Sequence, residues 1–255
     1  MQNTNVNRVP AIVTLYWVIK IAATTLGETG ADMFSMTYEL GYGATILLFL
    51  SLFVLLLGIK IMRQRYEAIL YWLVFTATTI VGTAISDYID RTLQLGYTWG
   101  SLLLLALLLV ILFFWWLKEK SINVEQIYTN SAEFYYWMAF LIANTLGTAA
   151  GDFLADELEI GFKTSALFIS LVLLVIVGLH YLSRISGTLL FWLAFVLTRP
   201  FGATFGDWLT KPLDHGGLDL GTVYSSLFFG VILILAIAFE VRQTRQSQFL
   251  ENKRV

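Results

Sequence analysis

Cysteine is absent from this 255-residue chain. That excludes disulfides, a thiolate nucleophile, an iron–sulfur cluster and any thiolate metal site. Histidine occurs twice and proline three times. Charge is scarce too: 13% of residues are Asp, Glu, Lys or Arg, against roughly 25% in a soluble globular domain. The net charge of −2 gives no polyanion-binding signal, so no nucleic-acid partner is expected. No P-loop, HExxH or adjacent Ser/His pattern is present. ATP drive is therefore unsupported, and the chain is not expected to be an enzyme.

Apolar residues are what the chain has in excess. They make up 58% of it, and the mean hydropathy is +0.74. A water-soluble protein of this size cannot hide so much apolar side chain. A membrane-spanning helix needs about 20 mostly apolar residues. Such stretches lie near 12–32, 42–62, 68–89, 98–118, 134–155, 163–183, 188–208 and 222–242. The expected class is all-α: a single polytopic domain over 1–255 with eight transmembrane helices in the lipid bilayer. The first stretch contains Lys20, Glu28 and Asp32 and is read as a retained helix rather than a signal peptide.

Basic residues are distributed unevenly. Eleven lie at the ends and after even-numbered spans: Arg8, Lys60, Arg63, Arg65, Lys118, Lys120, Arg184, Arg242, Arg245, Lys253 and Arg254. Only Arg91, Lys163 and Lys211 lie in the other loops. The positive-inside rule then places both termini in the cytoplasm.

Four segments align without a gap, each beginning at a tryptophan: Trp17, Trp72, Trp137 and Trp192. Ten positions on stands a glycine, namely Gly27, Gly82, Gly147 and Gly202. Fifteen positions on stands an aspartate, namely Asp32, Asp87, Asp152 and Asp207. A second glycine lies nine residues past the aspartate in three copies, at Gly41, Gly96 and Gly161, with Gly221 as its counterpart after an insertion. The repeats run approximately 12–62, 68–118, 134–183 and 188–242. They form two four-helix halves joined by a polar linker over 119–133. Each repeat is a two-helix hairpin entering the membrane in the same direction, so the expected pseudo-symmetry axis lies along the membrane normal.

These tryptophans, with the glycine and aspartate that follow each, resemble a bacterial membrane protein family of unknown function. That family is built from four tandem two-helix repeats, each with a characteristic tryptophan. The resemblance covers nearly the whole chain and implies the architecture and a bacterial inner membrane, but no activity. The segment Glu28-Thr29-Gly30-Ala31-Asp32 is also similar to the E-x-G-D-[KR]-[TS] motif of a cation exporter family. It departs from that motif in the Ala before Asp32 and the Met after it.

Helical spacing sorts the repeat into faces. Stepping back from each aspartate by fours gives Lys20/Thr24/Glu28/Asp32, Phe75/Thr79/Thr83/Asp87, Phe140/Asn144/Thr148/Asp152 and Phe195/Arg199/Ala203/Asp207. Such a face is costly in lipid and is expected to point into the bundle. An adjoining line of small residues (Gly27/Ala31, Gly82/Ser86, Gly147/Gly151, Gly202/Gly206) is expected to pack helix against helix. The tryptophans are expected at the membrane interface. Lys20 and Arg199 are expected to neutralise neighbouring carboxylates, with snorkelling toward the cytoplasmic side as the alternative for Lys20.

The donors on the stripe are carboxylate, hydroxyl and amide oxygens, which suit Mg²⁺, Ca²⁺, Mn²⁺, Na⁺ or H⁺. Asp32, Glu28 and Asp152 are the candidate metal ligands. The leading expectation is a cation transporter, with protons as coupling ion and no cofactor beyond the bound cation. The alternative is a membrane-embedded sensor, scaffold or small-ligand-binding protein without transport.

Overall fold

The structure is a computed structural model, and it describes residues 6–252, with side chains to residue 246. Eight α-helices and no strand occur among these residues: α1 (Thr14–Asp32), α2 (Gly41–Arg63), α3 (Ala68–Asp87), α4 (Gly96–Glu119), α5 (Asn130–Asp152), α6 (Phe162–Leu182), α7 (Gly187–Thr210) and α8 (Thr222–Asn252). Seven are long and apolar enough to cross a membrane. The exception is α1, whose 19 residues include Lys20, Glu28 and Asp32. Many odd-helix positions hold Thr and Gly, which are weak helix formers in water. In lipid the backbone has no partner other than itself, so the helix persists.

The ends of the odd helices follow a shared pattern. Helices α1, α3 and α5 each continue into a five-residue π turn: Met33–Thr37, Tyr88–Thr92 and Phe153–Glu157. After α7 the chain instead breaks at Lys211-Pro212, because proline cannot donate to the preceding turn, and a 3-10 turn follows at Leu213–His215. All four connections then re-enter through two left-handed residues two positions apart. These are Glu39 and Gly41, Gln94 and Gly96, Glu159 and Gly161, and Asp219 and Gly221, with φ between 55° and 75°. Gly221, at φ 74°, occupies the same turn position as the other three glycines despite the insertion.

The odd helices form the interior. α1 packs on α3, α3 on α5, α5 on α7 and α7 on α1, closing a cycle. Each even helix lies against the next odd one: α2 on α3, α4 on α5, α6 on α7, and α8 back on α1. Accordingly 67%, 72% and 56% of the apolar windows of α3, α5 and α7 are buried, against 22–28% for the even helices. Contacts of α3 with α5 and of α7 with α1 bridge the two halves, so the linker 119–133 does not separate two independent bundles.

Close approach in this cycle depends on glycine. A methyl at Gly27 would fall 2.4 Å from Thr79 Cβ, and one at Gly82 would fall 3.0 Å from the Thr145 backbone nitrogen. At Gly147 it would fall 2.3 Å from Arg199 Cγ, and at Gly202 2.6 Å from Thr24 Oγ1. Each repeated glycine therefore sits against the next odd helix around the cycle.

At the N-terminal end of the odd helices, Glu133 is buried and accepts from both Arg8 (2.9 Å) and Lys60 (2.8 Å). Asn7 accepts from the Ile127 backbone and donates to the Glu125 carbonyl. These contacts fasten the segment before α1 to the linker and to α2 and α5.

Candidate functional site

The four polar stripes converge. Successive stripe positions are about 6 Å apart along the helices, and each level has a different chemistry. The level nearest the tryptophans holds Phe75, Phe140 and Phe195, with ring centroids 4.0–6.4 Å apart. Lys20 completes it, fully buried, with Nζ 3.9 Å from the Phe195 ring centroid. Lys20 donates to the Phe195 carbonyl (2.9 Å) and to the Thr198 hydroxyl. No carboxylate pairs with it among the described residues, contrary to the expectation of a charge partner. A backbone carbonyl, a hydroxyl and an aromatic face hold it instead.

The next two levels are organised by Arg199, itself 1% exposed. Its guanidinium donates to the Thr24 carbonyl (3.1 Å), to Glu28 (3.1 Å), to Thr83 and to Thr148 (2.6 Å). One side chain from α7 thus engages α1, α3 and α5. Thr83 lies 3.2 Å from the same Glu28 oxygen. Thr79 donates to the Ala23 carbonyl and Asn144 to Thr78, while Asn144 Oδ1 is buried with no hydrogen-bond partner within the described chain. Arg199 has Glu28 as its carboxylate partner.

The four aspartates form the last level, each 1–2% exposed. Two basic residues bind them in pairs. Lys211 Nζ lies 3.1 Å from both Asp32 Oδ2 and Asp207 Oδ1. Arg91 lies 3.3 Å from Asp87 and 3.8 Å from Asp152. Lys211 stands just beyond α7. Burial alone would lower its pKa, but Asp207 and Asp32 outweigh that and hold it above the ordinary lysine value. Both cations are partly exposed, at 19% and 32% of the side chain, so they cap the aspartate level.

Neither Arg91 nor Lys211 figured among the expected site residues. Both stand four residues after a repeated aspartate, and that common offset is the sequence signal for them. They also change the electrostatics. Five carboxylates, the four aspartates and Glu28, face the four cations Lys20, Arg199, Arg91 and Lys211, so the charges of the interior are nearly balanced.

The candidate ligand set also shifts. Glu28, Asp32 and Asp207 each offer an oxygen, and these atoms lie within 4.8 Å of one another. Asp152 belongs to the other pair, with Asp87 and Arg91, because α5 and α1 are not neighbours in the cycle. Asp207 takes its place on α7, the helix adjoining α1.

The tryptophans pack into the bundle to different extents. Trp72 and Trp137 are fully buried, and Trp17 and Trp192 are half-buried. Trp72 Nε1 donates to Glu240 on α8 (2.7 Å), and Tyr71 and Tyr136 share a hydroxyl hydrogen bond of 2.6 Å. With Tyr16 and Phe191 these rings pack edge to face and tilted across the interior. They form an aromatic plug below the phenylalanine level, held by edge-to-face and tilted ring contacts.

The repeat recognised in the sequence corresponds to a described family, the Repeat of Unknown Function (DUF347), whose pattern matches residues 15–66, 70–121, 135–186 and 190–246. The chain belongs to the DUF347 repeat family. Four consecutive copies account for most of it, and each begins within two residues of its tryptophan. Comparison with curated proteins and with solved structures yields no match.

Proposed function

We propose that this DUF347 chain is a cation transporter of a bacterial inner membrane. In this reading α1 joins the other seven helices as an eighth span. Four hairpins surround an axis along the membrane normal, and both termini are cytoplasmic. The observation that carries it is the three-oxygen cluster of Glu28, Asp32 and Asp207, two of whose members, Asp32 and Asp207, already share the Lys211 ammonium.

A tethered ammonium marks where positive charge is stable in this bundle. An entering Mn²⁺, Mg²⁺, Ca²⁺ or Na⁺ displaces Lys211 toward its exposed side and takes the carboxylates as ligands. Protonation of one carboxylate releases the ion, which couples its passage to H⁺. Arg199 competes for Glu28 from the other side and sets how strongly that carboxylate turns toward the ion. Closure of the axis by Phe75, Phe140 and Phe195 means that passage requires these rings to separate.

That closure also favours a second reading, a cation-sensing or scaffolding protein that binds without transport. Ion flux in proteoliposomes separates the two. The transporter reading expects uptake under an imposed cation gradient, altered by a pH gradient and lost in Asp32→Asn and Asp207→Asn. Absence of flux under every imposed cation and pH gradient overturns it.

A further inference from the structure

The end of the bundle opposite the aspartates carries a feature unrelated to the axis. An open groove of about 530 Å³ lies between α2, α3 and α8. Its wall is apolar over Ile59, Ile69, Leu70, Leu73 and Val241, and two guanidinium groups, Arg63 and Arg245, line it as well. Both arginines are exposed. Neither has an ion-pair partner among the described residues.

The nearby acids are engaged elsewhere. Glu67, which also lines the groove, is held by Arg65 at 2.7 Å. Glu240 accepts from Trp72 at 2.7 Å and from Tyr66. The groove therefore combines two guanidinium groups that have no ion-pair partner among the described residues with a surface of hydrocarbon character. Arg63 ends α2, and Arg245 lies toward the end of α8. On both helices the apolar span precedes the arginine, which puts the guanidinium groups at headgroup depth and the apolar wall at acyl depth.

We propose that this groove binds an anionic phospholipid, its phosphate between Arg63 and Arg245 and an acyl chain along Ile59, Leu73 and Val241. A zwitterionic headgroup brings its own cation and gains little from the two arginines. A lipid with a net negative headgroup gains from both, at about fivefold in affinity per basic residue near the surface. The groove volume falls in the range of about 300–1,000 Å³ typical of small-ligand sites.

Native mass spectrometry of the purified full chain tests this, with phosphatidylglycerol and phosphatidylcholine of identical acyl chains competing at equal concentration. Wild type is expected to retain phosphatidylglycerol preferentially, and Arg63→Gln/Arg245→Gln to lose most of that preference. Lys118→Gln/Lys120→Gln removes the same charge from the same end of the bundle outside the groove, and is expected to keep it. No preference in wild type, an intact preference in the arginine double variant, or an equal loss in the lysine control overturns the proposal. So does displacement of the lipid by millimolar inorganic phosphate, which would make the groove a phosphate site indifferent to acyl chains. Both substituted arginines are exposed, and unchanged thermal unfolding in detergent verifies that the variants fold.

Discussion

Replacing Arg199 by methionine is the sharpest perturbation of the axis. Methionine keeps an unbranched stem, so the contact with Gly147, where Arg199 Cγ and Cβ pack, is largely preserved. What is lost is the guanidinium and its bonds to Thr24, Glu28, Thr83 and Thr148. Glu28, 3% exposed, is left with Thr83 as its near hydrogen-bond partner. Breaking a buried pair by removing one partner costs about 3–5 kcal/mol. Glu28→Gln is milder, because Arg199 keeps one carbonyl and two hydroxyls, and about 1.5–3 kcal/mol is expected for a lost charged hydrogen bond. The double variant buries neither charge, so its cost falls short of the sum of the two by about 2 kcal/mol. Equilibrium unfolding in mixed micelles, followed by tryptophan fluorescence, measures all three. A loss below about 1 kcal/mol for Arg199→Met, or additivity within about 0.5 kcal/mol, refutes the pair as the charge balance of the axis.

Gly27→Ala is expected to destabilise by about 1–3 kcal/mol through overpacking, since its methyl meets Thr79 Cβ at 2.4 Å, whereas at Gly30 the nearest atom is Ile80 Cδ1 at 3.8 Å and Gly30→Ala is nearly neutral; the same unfolding assay checks this, and equal effects refute it. Lys211→Met leaves Asp32 and Asp207 without their cation, so Mn²⁺ is expected to raise the unfolding midpoint of this variant more than that of wild type; a tenfold gain in affinity corresponds to about 1.4 kcal/mol, and equal shifts count against a cation site there. The raised pKa of Lys211 also fixes a pH dependence. A lysine raised by its partners contributes stability that is fully present below its unfolded value of about 10.4 and is lost only as pH climbs through the higher folded value. The contribution of Lys211 to wild-type stability is therefore expected to hold from pH 8 to 10, and a decline within that window, measured against Lys211→Met, refutes the pairing.

Much of the helical plan is legible in the sequence because it rests on composition and period. Long apolar runs give the outer helices, and the Trp, Gly and Asp offsets give the inner ones. The role of Gly27 or Gly202 is readable because a missing side chain has one structural use on such a face. Side chains with two uses are harder to read. Tryptophan suits both a membrane rim and an aromatic interior, and nothing local to Trp72 or Trp137 distinguishes them. The partner that draws Trp72 inward, Glu240, lies 168 residues away. Lys211 was hidden by the insertion that follows it. A basic residue next to Pro212 reads as a loop charge until the chain is seen to turn back, with Leu218 donating to the Trp208 carbonyl and Asp219 to that of Lys211. The exchange of Asp152 for Asp207 in the ligand set depends on which helices are neighbours, and repeat order alone does not give that.

The pattern of divergence among the repeats follows from where each residue meets its counterparts. A repeated glycine meets a different position of the next helix: Gly27 meets Thr79, Gly82 the Asn144–Thr145 backbone and Gly147 Arg199. Four identical glycines can therefore serve four interfaces. A residue on the axis meets its own copies instead. Four arginines at the level of Thr24, Thr79, Asn144 and Arg199 would repel one another, whereas one can span the centre and satisfy three helices at once. The aspartates stay identical, and their repulsion is offset one step outward by Arg91 and Lys211, placed in alternate repeats so that each cation serves two acids. Met36 and Asp156 occupy that offset in the other two repeats, so the ring of four aspartates keeps a net negative charge. Symmetry is kept where neighbours interlock and broken where like charges converge, and the breaks fall on Arg199, Arg91 and Lys211. Substitutions at these three positions are thus expected to alter ion binding and charge balance, and those at the glycines to alter helix packing.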